Sequence, residues 1–284
     1  MIRIEHLFKF YGDVRAVDDL SLEVHPGEIF GFLGPNGAGK TTTIRILTSL
    51  SRPTQGTVTL NGFDVAVMAK EAKKEFGVVQ QHMSLDRELT AWECMELHAR
   101  LHRIGRAARK KRIAELMEYV GLTEYAERIV MNLSGGIKRR LQIARALIHE
   151  PHILFLDEPT VGLDAQSRRR LWELIHRMNR DGTTVFLTTH YIEEAEELCG
   201  RVGIIHRGKL IALGAPLELR RSLGLFAVGA MSGEEMKYVF FPDLDTATAH
   251  AHNLAAGVRT VTVRESNLED VFIELTGTKV EEGI

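Results

Sequence analysis

The sequence predicts an α/β chain built on a mostly parallel sheet, and three observations carry that reading. Short apolar strands alternate with amphipathic helices beyond residue 150, the rhythm of a parallel sheet covered on both faces. The run GPNGAGKT at 34–41 follows an apolar strand and opens a helix. A glycine-rich turn in that context is a cradle for phosphate. The composition, 44% apolar and 26% charged over 284 residues, is ordinary for a globular chain. That length holds one large domain with a small appendage.

From the N-terminus, IRIEHLFKF, LSLEV, GEIFGFLG and GTVTLNG read as strands and turns, giving an N-terminal antiparallel β part. A helix over about 40–50 follows GFLG and stops before Pro53. Residues 83–132 change character. Thr90 and Glu93 fit a capping box, with Leu97, Leu101 and Ile104 behind it. A second helix shows Ile113, Leu116, Met117 and Val120 on one face and stops at Gly121. A third begins at Ser134-Gly135-Gly136, carries Ile137, Leu141, Ala144 and Ile148, and is closed by Pro151. Together these predict a helical insert over about 83–145.

HILFLDEP then reads as a strand buried on both faces. A helix carrying Leu171, Leu174, Ile175 and Met178 follows, then the strand TTVFLTT and a helix through Glu193–Leu198. VGIIHRGKLIALG reads as a hairpin turning at Arg207-Gly208. After about 222 the pattern loosens into a small α/β tail over 223–284. Its clearest piece is a helix with a Ser266–Glu269 capping box, a stripe of Leu268, Val271, Phe272 and Leu275, and a stop at Gly277.

The formal charge of −2 exerts no global pull toward nucleic acid or lipid. The basic runs RIGRAARKKR (103–112) and Arg168–Arg170 read as solvated helix faces. Cys94 and Cys199 lack metal-ligand spacing and predict free thiols in a reducing compartment. No apolar stretch approaches the ~18–20 residues of a membrane span, and MIRIEHLFKFYG lacks a signal-peptide layout. The expectation is a cytoplasmic chain that meets a membrane through a partner.

The chemistry sits in three places. In GPNGAGKT the backbone of Gly34, Pro35, Asn36, Gly37, Ala38 and Gly39 wraps phosphate. Lys40 supplies a point charge and Thr41 a hydroxyl for Mg²⁺, and Thr42 is counted with them as nucleotide-binding. ILFLDEP ends a buried strand in two carboxylates, where parallel sheets bind ligands. Asp157 is placed to hold Mg²⁺ through water, and Glu158, one step beyond, to orient or deprotonate an attacking water. Ser134, Gly135 and Gly136 form a second anion site at a helix start, a hundred residues from the first.

The order of P-loop, strand-end Gln81 in FGVVQQ, LSGG, Asp157-Glu158 and strand-end His190 resembles the ATP-binding-cassette ATPases, over nearly all of the first 220 residues. The resemblance implies a P-loop NTPase domain over 1–222 with ATP and Mg²⁺ as cofactors. It implies roles for Tyr11 in stacking on adenine, Gln81 in touching Mg²⁺ and sensing a membrane partner, Asp164 in crossing to a partner subunit, and His190 in contacting the γ-phosphate. Gln80, where the family carries an apolar or aromatic residue, competes with Gln81; spacing from Phe76-Gly77 favours Gln81. Ile137 and Val161-Gly162 depart from the common pattern toward ATPases of the daunorubicin-resistance type, which pair with separate export permeases. SNLEDVFIELTG resembles the same branch.

The family implies head-to-tail packing of two copies, or of this chain and a homologous subunit, with each LSGG covering the other chain's ATP. It also implies a separate transmembrane permease, a location on the inner face of the membrane, and no nucleic-acid partner. HMSLDRELTAWE after Gln81 is expected to receive a permease helix, with Leu85, Leu89 or Trp92 offering apolar contact. The alternative is a non-transport ATPase of the same fold, acting on nucleic acid or the ribosome. Against it, only about 90 residues separate P-loop and LSGG, leaving no room for a long coiled coil, and the chain has a single P-loop. A kinase or GTPase leaves LSGG unexplained, and no N-K-x-D run is present.

Overall fold

The computed structural model describes residues 1–82, 84–232, 235–255 and 260–277. Strands β1 (Ile2–Tyr11) and β2 (Val14–Val24) pair antiparallel; β3 (Ile29–Leu33) leads into α1 (Lys40–Leu47). Next come β4 (Gln55–Leu60), β5 (Phe63–Asp64), α2 (Ala69–Glu75) and β6 (Phe76–Val79). The helical insert holds α3 (Ala91–Leu101), α4 (Arg106–Tyr119) and α5 (Gly135–Ala146). Then follow β7 (Ile153–Asp157), α6 (Ala165–Arg180), β8 (Thr184–Thr189), α7 (Ile192–Leu198), β9 (Arg201–His206), β10 (Lys209–Gly214) and α8 (Pro216–Leu223). The tail comprises β11 (Phe226–Ser232), β12 (Glu235–Phe241), α9 (Leu244–Ala255), β13 (Val261–Glu265) and α10 (Leu268–Thr276).

The predicted α/β class holds. One sheet has the order β2-β1-β4-β5 and is antiparallel throughout; the other has the order β10-β9-β3-β8-β7-β6 and is parallel except at the β9–β10 hairpin. GEIFGFLG therefore leaves the N-terminal group and sits inside the parallel sheet. Its apolar run splits by strand alternation. Phe30 and Phe32 face the antiparallel sheet and α1 with Phe155 and Phe186, whereas Ile29 and Leu33 face the helical insert with Leu154, Leu156, Val185 and Leu187. Two cores thus grip one sheet, and its strand ends are held from both sides.

Several local expectations need correction. Thr90 does cap α3 with a full capping box, but the buried face is Ala91, Cys94, Met95 and Ala99, while Leu97 and Leu101 are exposed. Small residues are buried there because α3 packs closely on α4 and α5. The cap of α10 is Asn267 with Asp270, one residue beyond the expected Ser266–Glu269 pair. Ser266 is otherwise engaged: its buried hydroxyl donates to Gly224 O at 2.6 Å. Leu275 is exposed, leaving Leu268, Val271 and Phe272 as the buried stripe. Helices α2, α8 and α9 were not expected at all.

The tail is not a loose appendage at its end. Leu268, Val271 and Phe272 belong to the same core cluster as the helical insert and α7. The amide of Leu268 donates to Glu196 Oε1 on α7 at 2.9 Å. The sheet β12-β11-β13 with α9 packed on it forms the rest.

Candidate active site

The loop after β3 needs glycine at two positions for steric reasons. A Cβ on Gly34 would stand 2.4 Å from Ile205 O, and one on Gly39 would stand 2.4 Å from Ala16 O. Gly37 and Gly39 also take left-handed φ values of 78° and 111°. The loop therefore turns tightly into α1, whose first turn carries no acid to oppose an anion. Asn36, Gly37 and Thr41 are exposed, Ala38 is buried, and Pro35 and Thr42 are half-buried.

Lys40, at the start of α1, donates to Gly34 O at 2.7 Å and Pro35 O at 3.2 Å, and its Nζ lies 3.2 Å from Glu158 Oε1. His190 Nδ1 lies 3.0 Å from Glu158 Oε2, and Gln81 Nε2 lies 3.5 Å from the same oxygen. Three elements distant in sequence thus converge on one carboxylate. Lys40, Asp157, Glu158 and His190 are each at most 7% exposed. Such a concentration of buried charge persists only because its members pair.

The two acids differ in environment. Asp157 is pushed above its ordinary carboxylate value by burial, against the opposing hydrogen bond from Thr188. Burial pushes Glu158 the same way, but His190 and Lys40 outweigh it and hold that carboxyl below its ordinary value. Burial in turn lowers Lys40, partly offset by Glu158 and Asp157. The balance favours the ionised form of Glu158.

Thr188, absent from the sequence-derived set, joins the two acids. The parallel register places it opposite Asp157. Its hydroxyl donates to Asp157 Oδ1 at 2.6 Å, and the amide of Glu158 donates to Thr188 Oγ1 at 3.1 Å. Glu158 takes φ of 47°, the left-handed region that a glutamate seldom enters. The only hint in the sequence was a polar TTH end on an apolar strand.

The remaining expected residues fall into two groups. Gln81, rather than Gln80, reaches the site; Gln80 offers its carbonyl to Arg139. Tyr11 ends β1 and is 47% exposed, with Lys9 Nζ over its ring at 4.9 Å from the centre. Ser134 caps α5, whose first residues are Gly135 and Gly136. The Ser134 hydroxyl accepts from Ile137 N at 3.4 Å, Ser134 and Gly135 are exposed, and Gly136 abuts Ser167. Asp164 caps α6, accepting from Ser167 N at 2.9 Å and Ser167 Oγ at 2.7 Å. Leu85 is 8% exposed and belongs to the core, so it is not available as a docking contact; Leu89 and Trp92 pack half-buried against the same core. Met83 lies outside the described residues.

The donor set suits a nucleotide with Mg²⁺. Among the described residues no cluster of three or more His, Cys, Asp or Glu side chains could cage a metal alone. Mg²⁺ is instead held by one or two carboxylates, waters and the phosphates it accompanies. Asp157 and the hydroxyl of Thr41 fit that pattern. The left-handed glycines and buried Lys40 fit the phosphates. No helix among the described residues is long and apolar enough to cross a membrane.

Comparison with known proteins agrees with this geometry. A family model described as ABC transporter matches residues 17–161, just over half of the chain. The Nod factor export ATP-binding protein I of Cupriavidus metallidurans is 40% identical, across 99% of this chain and 98% of that protein. The linearmycin resistance ATP-binding protein LnrL of Bacillus subtilis is 37% identical, across 98% of both. A dimeric bacterial ABC transporter cassette superposes with a TM-score of 0.69 at 30% identity, covering 76% of this chain and 98% of that one. A structure of a post-hydrolysis cassette bound to ADP and Pi gives 0.69 at 29% identity, with the same coverage.

Proposed function

The chain belongs to the ABC transporter family, and from that premise we propose that it is the ATPase motor subunit of an exporter acting through a separate permease. ATP binding and hydrolysis follow from membership. The permease, the export direction and the peripheral position on the inner membrane face are our reading, supported by relatives named for export and resistance. The non-transport alternative has no observation in its favour. The 1–222 and 223–284 division is retained as a description of the ATPase and its tail, with α10 returning to the ATPase core.

The observation that carries the mechanism is the convergence of Lys40, Gln81 and His190 on Glu158. ATP lies along residues 34–42 with its base against Tyr11, and its phosphates accept from the loop amides and Lys40. Thr41, Gln81 and Asp157 would hold Mg²⁺, which when bound would supply positive charge to the phosphates. When the phosphates engage Lys40, Glu158 is left as the acceptor for a proton from water. His190 and Gln81 orient that water and the γ-phosphate it attacks; the products are ADP and phosphate.

The exposed Ser134-Gly135-Gly136 start of α5 is assigned to the ATP of a second copy, packed head to tail. Asp164 belongs at that interface beside Ser167. The test mixes two inactive variants, Lys40→Ala and Ser134→Arg. In a mixed head-to-tail dimer, one site combines both lesions and the other combines two intact halves. ATP occlusion is expected to return partly in the mixture and in neither variant alone. If subunit exchange is verified and no occlusion returns, the head-to-tail assignment is wrong.

A further inference from the structure

Arg139 heads the largest fully buried side chains of the described residues, at 2% exposure. It stands on α5, one turn beyond Gly135-Gly136. Burying a permanent charge is costly unless its donors are well used. Here the two terminal nitrogens are spent on a loop and on Gln142, while buried Nε has no hydrogen-bond partner among the described residues. Nη1 donates to Gln80 O at 2.7 Å and to Gln142 Oε1 at 3.1 Å, and Nη2 donates to Gln81 O at 3.2 Å. Glu194 and Asp157 act on it at longer range.

The neighbours extend the same device. Strand β6 ends at Val79, so the carbonyls beyond it lack a ladder partner. Gln142 Nε2 donates to His82 O at 3.3 Å, and Arg145 donates to Ser84 O at 2.5 Å and Ser84 Oγ at 2.7 Å. Positions 139, 142 and 145 lie three apart and share one face of α5. One stripe of a helix thus fastens Gln80, Gln81, His82 and Ser84, and Gln81 is the member that reaches Glu158.

We propose that Arg139 is a positioning residue for ATP hydrolysis, fixing through the Gln80 and Gln81 carbonyls the reach of the Gln81 side chain to Glu158. Because Arg139 and Ser134 ride on one helix, displacement of its Ser134-Gly135-Gly136 end is delivered to Gln81 of the same chain. The proposal rests on the role given above to Gln81 and goes beyond it by naming what holds Gln81 in place.

The test is a double-mutant cycle on the full chain, reading kcat and KM for ATP. Arg139→Met keeps much of the volume and removes the donors. It is expected to lower kcat about tenfold with KM within twofold, while Arg139→Lys recovers part of the loss by reaching one carbonyl. In a Gln81→Ala background, Arg139→Met should lower kcat by less than twofold more. An equal drop in both backgrounds overturns the proposal, because Arg139 then acts elsewhere, and so does an unchanged kcat. If Gln81→Ala alone leaves kcat unchanged, the Gln81 role fails and takes this proposal with it. The Lys40–Ser134 mixing result would still stand. Should Arg139→Met not fold, Gln142→Leu enters the same cycle and is judged by the same coupling.

Discussion

Replacing Glu158 by glutamine separates binding from chemistry, because the amide keeps the shape of the carboxylate and loses its basicity. Loss of a general base costs about 10²–10⁴ in rate, or ~2.7–5.4 kcal/mol of barrier. Binding should change little. Lys40 keeps its bonds to Gly34 O and Pro35 O and the nearby charge of Asp157, so it is not stranded when Glu158 becomes neutral. Stranding one member of a buried pair would cost ~3–5 kcal/mol, and the remaining partners hold the loss well below that. Glu158→Gln is therefore expected to bind ATP within about threefold of the parent while turnover falls at least about 100-fold. Steady-state phosphate release and equilibrium nucleotide binding, measured on the same preparation, read the two effects. Turnover within twofold of the parent would remove Glu158 from the role. Lost binding with lost turnover would instead make the carboxylate a structural member of the Lys40 cluster.

Two further outcomes follow from parts of the molecule outside the site. Phe272, fully buried among core residues of α7 and the insert, should cost ~3–5 kcal/mol when cut to alanine; a urea-unfolding change under about 1 kcal/mol would mean that α10 does not hold the ATPase core. His98 and His149, both pushed down to about 4 by burial first and neighbouring cations second, should make the fold weaken as pH falls. Their folded values lie below the ordinary 6.5, so between 6.5 and about 4 the unfolded chain binds more protons and stability rises with pH. His98→Phe, which keeps a ring beside His102, should flatten that slope in urea midpoints taken at pH 7.5 and 5; an unchanged slope would assign it to other groups.

What was legible in the sequence was local. GPNGAGKT, LSGG and the acid pair each declare themselves within eight residues, because phosphate cradles and strand-end acids depend on consecutive backbone geometry. Gln81 was separable from Gln80 only by counting from Phe76; its contact with Glu158 depends on how the loop leaves β6 and is not visible in the sequence. Thr188 could not be read at all. Its place opposite Asp157 is set by the register of β7 and β8, and register is a property of two strands. Nothing in the run Lys138-Arg139-Arg140 singles out Arg139, yet it is the buried member.

The misread face of α3 and the shifted cap of α10 share one physical cause. In each, the expected residue had the right local chemistry, and a tertiary partner outcompeted it. Leu97 and Leu101 favour a helix wherever they sit, but the small residues at 91, 94 and 99 allow close approach to α4 and α5. Ser266 is a good cap, but the Gly224 carbonyl takes its hydroxyl, and Asp270, fixed at 2.7 Å by Arg264, makes Asn267 the better one. That second displacement matters for function. Moving the cap to Asn267 makes Leu268 the first helical residue, and its free amide is the one that meets Glu196 on α7. Helix α7 begins two residues after His190. The tail therefore bears on the helix that follows the histidine facing Glu158, through a contact that no local reading of SNLEDVFIELTG could supply.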